Sequence, residues 1–311
     1  MSILALEQYI AKTEFSIEDV IDRFIYSVDV KNNSKDTYRR QLKQFTDFVY
    51  KKYQDGDLSK VSRNDIVDYR NHLTQSQKTV RTVNGYITAV CNMFSWLEEN
   101  ETIKDISRGV KKLKPPPGFS KDCLTVSQIR QILSNFDLTT NEGLRNYALF
   151  NLMVRIGLRS VEVSTATVGD IRQKCGQAIL EIQSKGCDSK DDFVILVDEV
   201  LIPLRRYLIT RGQLVEQDPL FVSDSNRSRG EKLSLRMIGH IIRESFKKIN
   251  INDSRITPHS LRHTAISLSI ANGASLTQAQ AMARHSDPKT TMIYVHNQDR
   301  IKNAAERFII I

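Results

Sequence analysis

The residues best suited to chemistry lie in the C-terminal part of the chain. His259 and Arg262 are three residues apart, His285 follows them, and Tyr294 completes the set. Pro258 suits the first turn of a helix, where no backbone N–H is needed, and His259 and Arg262 then share one helix face. Positive side chains at a helix start can bind a phosphate group. The set therefore favours chemistry on a phosphodiester, with tyrosine as the nucleophile.

The order and spacing of this set are more informative than any single member. A lone histidine on a helix is most often structural, and a lone tyrosine is most often a packing residue. The pattern H-x-x-R, then a histidine, then a tyrosine nine residues later, resembles the C-terminal signature of the tyrosine recombinases. That family includes phage integrases, Xer-type recombinases and transposon integrases. The pattern matches neither a metal site nor a P-loop.

The resemblance implies a further arginine earlier in the chain. An apolar helix is predicted from Asn141 to Gly157, where glycine suits the C-terminal cap, and the sequence G-L-R-S-V-E follows. This resembles the family's first arginine motif, which makes Arg159 a catalytic residue and Glu162 the residue that supports its placement. A surface arginine at a helix start is the alternative interpretation.

The resemblance also implies a lysine on a β-hairpin. Apolar residues alternate between Ile179 and Ile195 on both sides of a polar segment that contains glycine, and this pattern predicts two paired strands. Lys185, in S-K-G at the tip, matches the family's hairpin lysine. Lys190 in the same loop is the alternative.

The family's chemistry assigns roles to the two arginines and the second histidine. Attack on a phosphodiester builds negative charge on the phosphate oxygens, which fixed positive donors stabilise. Planar guanidinium groups suit this task, so the resemblance implies that Arg159 and Arg262 bind the phosphate. His285 would donate a further hydrogen bond.

The remaining roles concern protons. Tyr294 is expected to exchange its proton with His259, and two nearby cations are expected to lower the pKa of Tyr294. Lys185 would protonate the leaving 5′ oxygen. The product would be a 3′-phosphotyrosine and a free 5′ hydroxyl, formed without a cofactor or a metal. One departure is Arg284 in A-R-H, where the family usually has L-G-H. It leaves the local backbone, and a DNA contact by Arg284, open.

Four amphipathic helical segments precede these residues and resemble the family's core-binding domain. Ser16 begins a capping box before the first segment, and apolar residues recur at helical spacing in the other three. These three are Ser34 to Tyr53, Arg63 to Leu73 and Thr79 to Glu99.

The predicted fold class is mainly α with a small β-hairpin or sheet. An N-terminal helical core-binding domain would be joined to an α+β catalytic domain by a basic, proline-rich linker. The predicted divisions are a short lead at 1–16, the core-binding domain at 17–110, the linker at 111–121 and the catalytic domain at 122–311.

The overall charge indicates a polyanionic partner. The 311 residues include 45 Lys and Arg against 36 Asp and Glu, which gives a formal net charge of +9 and a sequence pI ≈ 9.3. A basic protein with a merely solvated surface is the alternative. The candidate DNA-binding residues are Arg39, Arg40, Lys43, Lys111, Lys112, Lys114, Arg236, Arg243 and Arg284.

Other features bear on the compartment. The four cysteines have no C-x-x-C spacing, which is typical of reduced thiols, and no segment predicts a signal peptide or a membrane span. We therefore expect a cytoplasmic protein.

The expected partner is double-stranded DNA with recombination sites. The resemblance implies a homotetramer on two synapsed sites and a Holliday junction, with an accessory DNA-bending protein or a partner recombinase as further candidates. The reaction would be integration, excision or resolution. The C-terminal Phe308 to Ile311 would dock on a neighbouring protomer, after a last helix capped by Asn297. A non-cleaving DNA-binding protein of this fold and a type IB-like topoisomerase are the alternatives.

Overall fold

The chain forms two compact units, Met1–Gly118 and Phe119–Ile311. A computed structural model describes residues 16–115, 122–183, 189–253 and 255–309. Each unit has its own hydrophobic core.

The first unit is helical, as the sequence predicts. Ser16 caps its first helix and forms the expected capping box with Asp19. The apolar positions at helical spacing face inward, because this is the only face on which they leave water. The four helices are α1 (Ile17–Ser27), α2 (Asn32–Lys52), α3 (Arg63–Gln75) and α4 (Val80–Glu99).

Aromatic side chains hold the centre of this unit. The Phe45 ring on α2 packs at 5.2 Å from the Tyr69 ring on α3 and at 6.2 Å from the Phe94 ring on α4, both edge to face. All three side chains are buried. The core thus joins three consecutive helices.

The segment after α4 is tied to the same helices. The Arg70 guanidinium donates to the carbonyl oxygen of Lys111 at 2.7 Å, and the Asn84 amide exchanges two hydrogen bonds with the Leu113 backbone at 2.8 and 2.9 Å. Lys111 is exposed, as are Lys112 and Lys114. A linker role for residues 111–121 stays a prediction.

The second unit surrounds a buried helix. The helix from Asn141 is buried on almost every side and packs against two later helices. The helices of this unit are α5 (Val126–Ser134), α6 (Asn141–Ile156), α7 (Ser160–Thr165), α8 (Asp198–Ile209), α9 (Leu235–Lys247), α10 (Pro258–Ala271), α11 (Leu276–Ala283) and α12 (Pro288–Lys302).

A three-stranded antiparallel sheet lies in this unit. Its strands are β1 (Ile171–Lys174), β2 (Gln177–Ile182) and β3 (Asp192–Ile195), in the order β1-β2-β3. The predicted hairpin is confirmed as the β2–β3 pair, in which Leu180 lies opposite Val194. The polar sequence of β1 gave no signal, because three of its four residues are exposed.

The last helix differs from the prediction. It runs without a break from Pro288 to Lys302, so position 297 lies inside this helix and not at the start of a further one. No proline or glycine follows Pro288 within this segment, and the hydrogen-bond ladder therefore continues. Tyr294 lies near the middle of this helix.

Candidate active site

Arg262 lies at the centre of the site. It projects from the first turns of α10, which begins at Pro258 as predicted, and it is only 2 % exposed. Its Nη1 donates to the carbonyl oxygen of Gly157 at 2.7 Å, and its Nη2 donates to that of Ala283. Arg262 therefore joins the end of α6 to the end of α11.

Gly157 is the residue that turns the chain from α6 towards Arg159. It is the C-terminal cap of α6, as the sequence predicts, with left-handed φ 70° and ψ 31°. A Cβ atom here would lie 3.3 Å from the Cβ of Ala265 on α10. Glycine therefore permits both the turn and the close approach of α10.

Arg159 follows at the N-terminus of α7. The Glu162 carboxylate accepts from its backbone N at 2.7 Å and from its Nη1 at 2.6 Å. The Glu162 side chain is fully buried, whereas the Arg159 side chain is 24 % exposed. Glu162 thus holds Arg159 at the surface of the site, in the supporting role that the sequence predicts.

Tyr294 meets a histidine that the sequence analysis missed. Nδ1 of His263 is hydrogen-bonded to the hydroxyl of Tyr294, and the two ring centroids are 5.5 Å apart. His259, the predicted proton acceptor, packs its ring 4.6 Å from that of His263. The signal was present, because His263 is four residues after His259 and falls on the same helix face.

The ring of His285 also lies near that of Tyr294. Their rings are nearly parallel, with centroids 6.4 Å apart. Nδ1 of His285 lies 2.9 Å from Oγ1 of Thr291, and the Gln280 amide donates to the His285 carbonyl oxygen at 2.9 Å. Thr291 therefore orients the ring and leaves Nε2 for another partner.

Burial and, to a smaller extent, the positive charge of the site keep His285 neutral. Burial lowers the pKa of His285 to about 4, and Arg262, Arg159 and Arg284 lower it further in the same direction. Burial raises the pKa of Tyr294 to about 12, although Arg262 opposes this effect. The expected lowering of the pKa of Tyr294 is therefore wrong for the unbound protein, and a base is needed to remove its proton.

Of the two candidate hairpin lysines, the structure describes only Lys190. Lys185 lies outside the described residues. The Nζ of Lys190 is 2.6 Å from each carboxylate oxygen of Asp170, which is buried beside β1. This ion pair makes Lys190 an anchor of the hairpin and weakens it as the alternative to Lys185.

Arg284 is the buried member of the candidate DNA-binding set. Its side chain is only 2 % exposed and donates to the Glu162 carboxylate at 2.7 Å. A DNA contact by Arg284 stays a prediction. The other candidate DNA-binding residues are exposed, and their role stays a prediction. These are Arg39, Arg40 and Lys43 on α2, Lys111, Lys112 and Lys114 after α4, and Arg236 and Arg243 on α9.

Among residues 16–115, 122–183, 189–253 and 255–309, no cluster of three or more His, Cys, Asp or Glu side chains could hold a metal ion. Cys91, Cys123 and Cys175 carry free thiols. In the part of the chain that the structure describes, no helix is both long enough and apolar enough to span a membrane.

Two family models match the sequence of this chain. The model of the phage integrase family matches residues 122–300, and that of the N-terminal SAM-like domain of phage integrases matches residues 22–101. The first covers more than half of the chain, which therefore belongs to the phage integrase family. Its class of enzyme is the site-specific tyrosine recombinase.

Relatives and solved structures agree with this class. The chain is 29 % identical to tyrosine recombinase XerD of Staphylococcus epidermidis over 294 residues, which are 90 % of this chain and 93 % of the relative. It is 28 % identical to tyrosine recombinase XerC of Herpetosiphon aurantiacus over 272 residues, which are 85 % and 84 % of the two chains.

The solved structures show the same fold. A XerH site-specific recombinase bound to a palindromic difH substrate superposes with a TM-score of 0.75 and 19 % identity, over 93 % of this chain and 84 % of that one. The Tn1549 transposon integrase in complex with transposon right-end DNA gives a TM-score of 0.71 and 16 % identity, over 93 % and 98 %.

The contact between His263 and Tyr294 predicts which histidine accepts the tyrosine proton. His263→Leu removes this acceptor, and we expect cleavage to slow about 100-fold, in the range of general-base catalysis. His263→Asn is the matched control, because its side-chain oxygen can take the place of Nδ1, and it should retain more activity. Single-turnover cleavage rates of the two variants and of His259→Leu test this. A larger loss in His259→Leu than in His263→Leu would restore His259 as the acceptor.

Proposed function

We propose that this protein is a Xer-type recombinase that cuts and rejoins DNA at specific sites through a 3′-phosphotyrosine. The observation that carries the proposal is the convergence of Arg159, Arg262, His263 and His285 around Tyr294 within one unit. These groups supply a phosphate site, a proton acceptor and a nucleophile. The similarity to the tyrosine recombinases XerD and XerC supports a Xer-type role.

The cleavage step uses these groups in order. Oη of Tyr294 attacks the phosphorus, a new P–O bond to the tyrosine forms, and the bond to the 5′ oxygen breaks with its electron pair. His263 accepts the phenolic proton through the hydrogen bond that the structure contains. Arg159, Arg262 and Nε2 of the neutral His285 donate to the phosphate oxygens, where negative charge develops.

The leaving oxygen needs a proton, for which Lys185 is the candidate. It follows β2 and precedes β3, and Lys190 fixes the second arm of this hairpin through Asp170. The phosphotyrosine conserves the energy of the phosphodiester bond, so a 5′ hydroxyl from another strand can reverse the step without ATP. Two such exchanges would pass through a Holliday junction.

We further propose that four protomers act on two synapsed sites in the cytoplasm. An apolar cavity of ≈ 800 Å³ lies between β3 and α11, with Phe193, Ile195 and Met282 in its lining. The end of the chain is also apolar and exposed, because Phe308 is 81 % and Ile309 is 68 % exposed. The chain end of one protomer would therefore pack into the cavity of its neighbour. The family resemblance implies such docking of the C-terminal segment.

Deletion of Phe308 to Ile311 is expected to weaken the tetramer and to leave binding to a single site unchanged. The deletion removes the exposed apolar side chains of Phe308 and Ile309, which a neighbouring protomer would bury. Sedimentation of the protein on synapsed and on single DNA sites measures both effects. Phe193→Glu, which places a charge in the cavity lining, should give the same result. Unchanged synapsis in both variants would contradict the docking.

The test of the function is a nicked suicide substrate, on which the cleaved strand loses a short fragment and cannot be rejoined. Candidate sites from the chromosome and from nearby mobile elements are incubated with the protein, with EDTA and without ATP. A covalent protein–DNA band on a denaturing gel is the expected result. The trapped sequence then separates resolution of chromosomes from integration or excision of an element, and shows whether a partner recombinase or a DNA-bending protein is needed.

Two other outcomes would point elsewhere. Tight binding without a covalent band on every site would favour a non-cleaving DNA-binding protein. A covalent band together with relaxation of supercoiled DNA that has no second site would favour a type IB-like topoisomerase.

A further inference from the structure

Arg284 occupies a backbone position that disfavours it. It caps α11 with left-handed φ 52° and ψ 48°, a conformation that costs a residue with a side chain about 1–2 kcal/mol. Glycine would avoid this cost. An arginine here is therefore expected to make contacts that offset the strain of its backbone.

The side chain of Arg284 makes two hydrogen bonds, one of them to Glu162 in the active site. Its Nη2 donates to Oε2 of Glu162 at 2.7 Å, and its Nη1 donates to the carbonyl oxygen of Met282 at 2.6 Å. Its Nε is buried and has no hydrogen-bond partner among the described residues. The ion pair with Glu162 therefore offsets two costs, the left-handed backbone and the buried Nε–H that has no partner.

Glu162 is the point where two arginines meet. Its Oε1 accepts from Nη1 of Arg159 at 2.6 Å, and its Oε2 accepts from the Arg159 backbone at 2.7 Å as well as from Arg284. Both oxygens are therefore engaged in a fully buried carboxylate. Because Arg284 occupies Oε2, only one nitrogen of the Arg159 guanidinium pairs with Glu162. The remainder of that guanidinium, in a side chain that is 24 % exposed, can then bind a phosphate.

The same contact orders the backbone before His285. Arg262 donates to the carbonyl oxygen of Ala283, and the next residue, Arg284, donates to Glu162. The two residues before His285 are thereby attached to α10 and to α7. The position of His285 relative to Arg159 thus depends on the Arg284–Glu162 pair.

We propose that Arg284 is a positioning residue that sets the geometry of Arg159 and His285 through Glu162. This inference rests on the proposed function, because it concerns how the phosphate site is held. It adds to the linear motif a residue that acts through its buried ion pair with Glu162.

The test replaces Arg284 by glycine, which suits the backbone and removes the ion pair. Without Arg284, the Glu162 carboxylate can pair with both nitrogens of Arg159 and draw it away from the phosphate. We expect the single-turnover cleavage rate on the suicide substrate to fall between about tenfold and 100-fold, as for a misplacement of about 1 Å. The dissociation constant for the uncleaved site should stay within about threefold, because the side chain is buried.

Two comparisons separate positioning from a general loss of structure. Cys175→Gly is the matched control, since Cys175 also has a positive φ of 50° but lies in the exposed β1–β2 turn. It relieves the backbone in the same way and should leave cleavage unchanged. Arg284→Lys keeps a cation near Glu162 and should recover part of the rate.

A double-mutant cycle gives a second measure. Glu162→Gln should slow cleavage, and the addition of Arg284→Gly should then cost less than it does in the wild type, because the two residues act as a pair. The inference would be overturned by an unchanged cleavage rate in Arg284→Gly, or by a loss that follows only a lower melting temperature. These outcomes presuppose a covalent band with the wild-type protein. If the wild type itself forms none, the proposed function fails first.

Discussion

The Tyr294→Phe variant is expected to bind its DNA site with wild-type affinity and to form no covalent adduct. Tyr294 is buried, at 4 % exposed, and its ring packs near those of His263 and His285. Phenylalanine keeps this packing and removes only the oxygen that attacks the phosphorus. The expected effect is a complete loss of the band on a denaturing gel, with no change in a native gel-shift titration.

The matched control is Tyr207→Phe in the same unit. Tyr207 is also buried, at 2 % exposed, and its hydroxyl accepts a hydrogen bond from the Val222 backbone at 3.3 Å, away from the active site. Its loss is expected to cost about 1 kcal/mol of stability and no cleavage activity. A covalent band that persists in Tyr294→Phe would mean that another side chain is the nucleophile.

The Arg262→Ala variant is expected to lose both stability and cleavage. Burial lowers the pKa of Arg262 to about 9, so the guanidinium is still charged at neutral pH. Alanine leaves the carbonyl oxygens of Gly157 and Ala283 without their donor and opens a cavity in the site. Such losses cost about 3–5 kcal/mol, which in a domain of this size lowers the melting temperature by about 10 °C.

The effect of Arg262→Ala on chemistry can be separated from its effect on stability. Arg145 is a second buried arginine, at 4 % exposed, whose Nη1 donates to the Val222 carbonyl oxygen at 3.1 Å and pairs with Asp224. Arg145→Ala should also melt at a lower temperature, but below that temperature it should cleave normally. Arg262→Ala should show no cleavage even where circular dichroism shows it to be folded. Normal cleavage by folded Arg262→Ala would remove Arg262 from the phosphate site.

Much of the fold follows from local features of the sequence. The helices of the first unit repeat apolar residues at helical spacing, and capping residues such as Ser16 and Thr79 mark their starts. Gly157 marks the end of α6, and the alternating residues of β2 and β3 mark the hairpin. Each of these signals depends on neighbours within a few residues, and a linear sequence contains them directly.

The order of the chemical groups was also available from the sequence. His259, Arg262, His285 and Tyr294 form a linear motif, and Arg159 follows a recognisable helix end. The sequence did not identify the residue that exchanges a proton with Tyr294. That depends on how α10 lies against α12, and this packing brings His263 to the hydroxyl.

The sequence alone thus determined the class of fold, the arginines and the tyrosine of the site, because each is encoded by local spacing or by a linear motif. Only the tertiary structure decided the environment of these groups. Burial, which raises the pKa of Tyr294 and lowers that of His285, arises from helices distant in sequence. The pairing of Arg284 with Glu162 joins residues 122 positions apart, and no local pattern encodes a contact of that range.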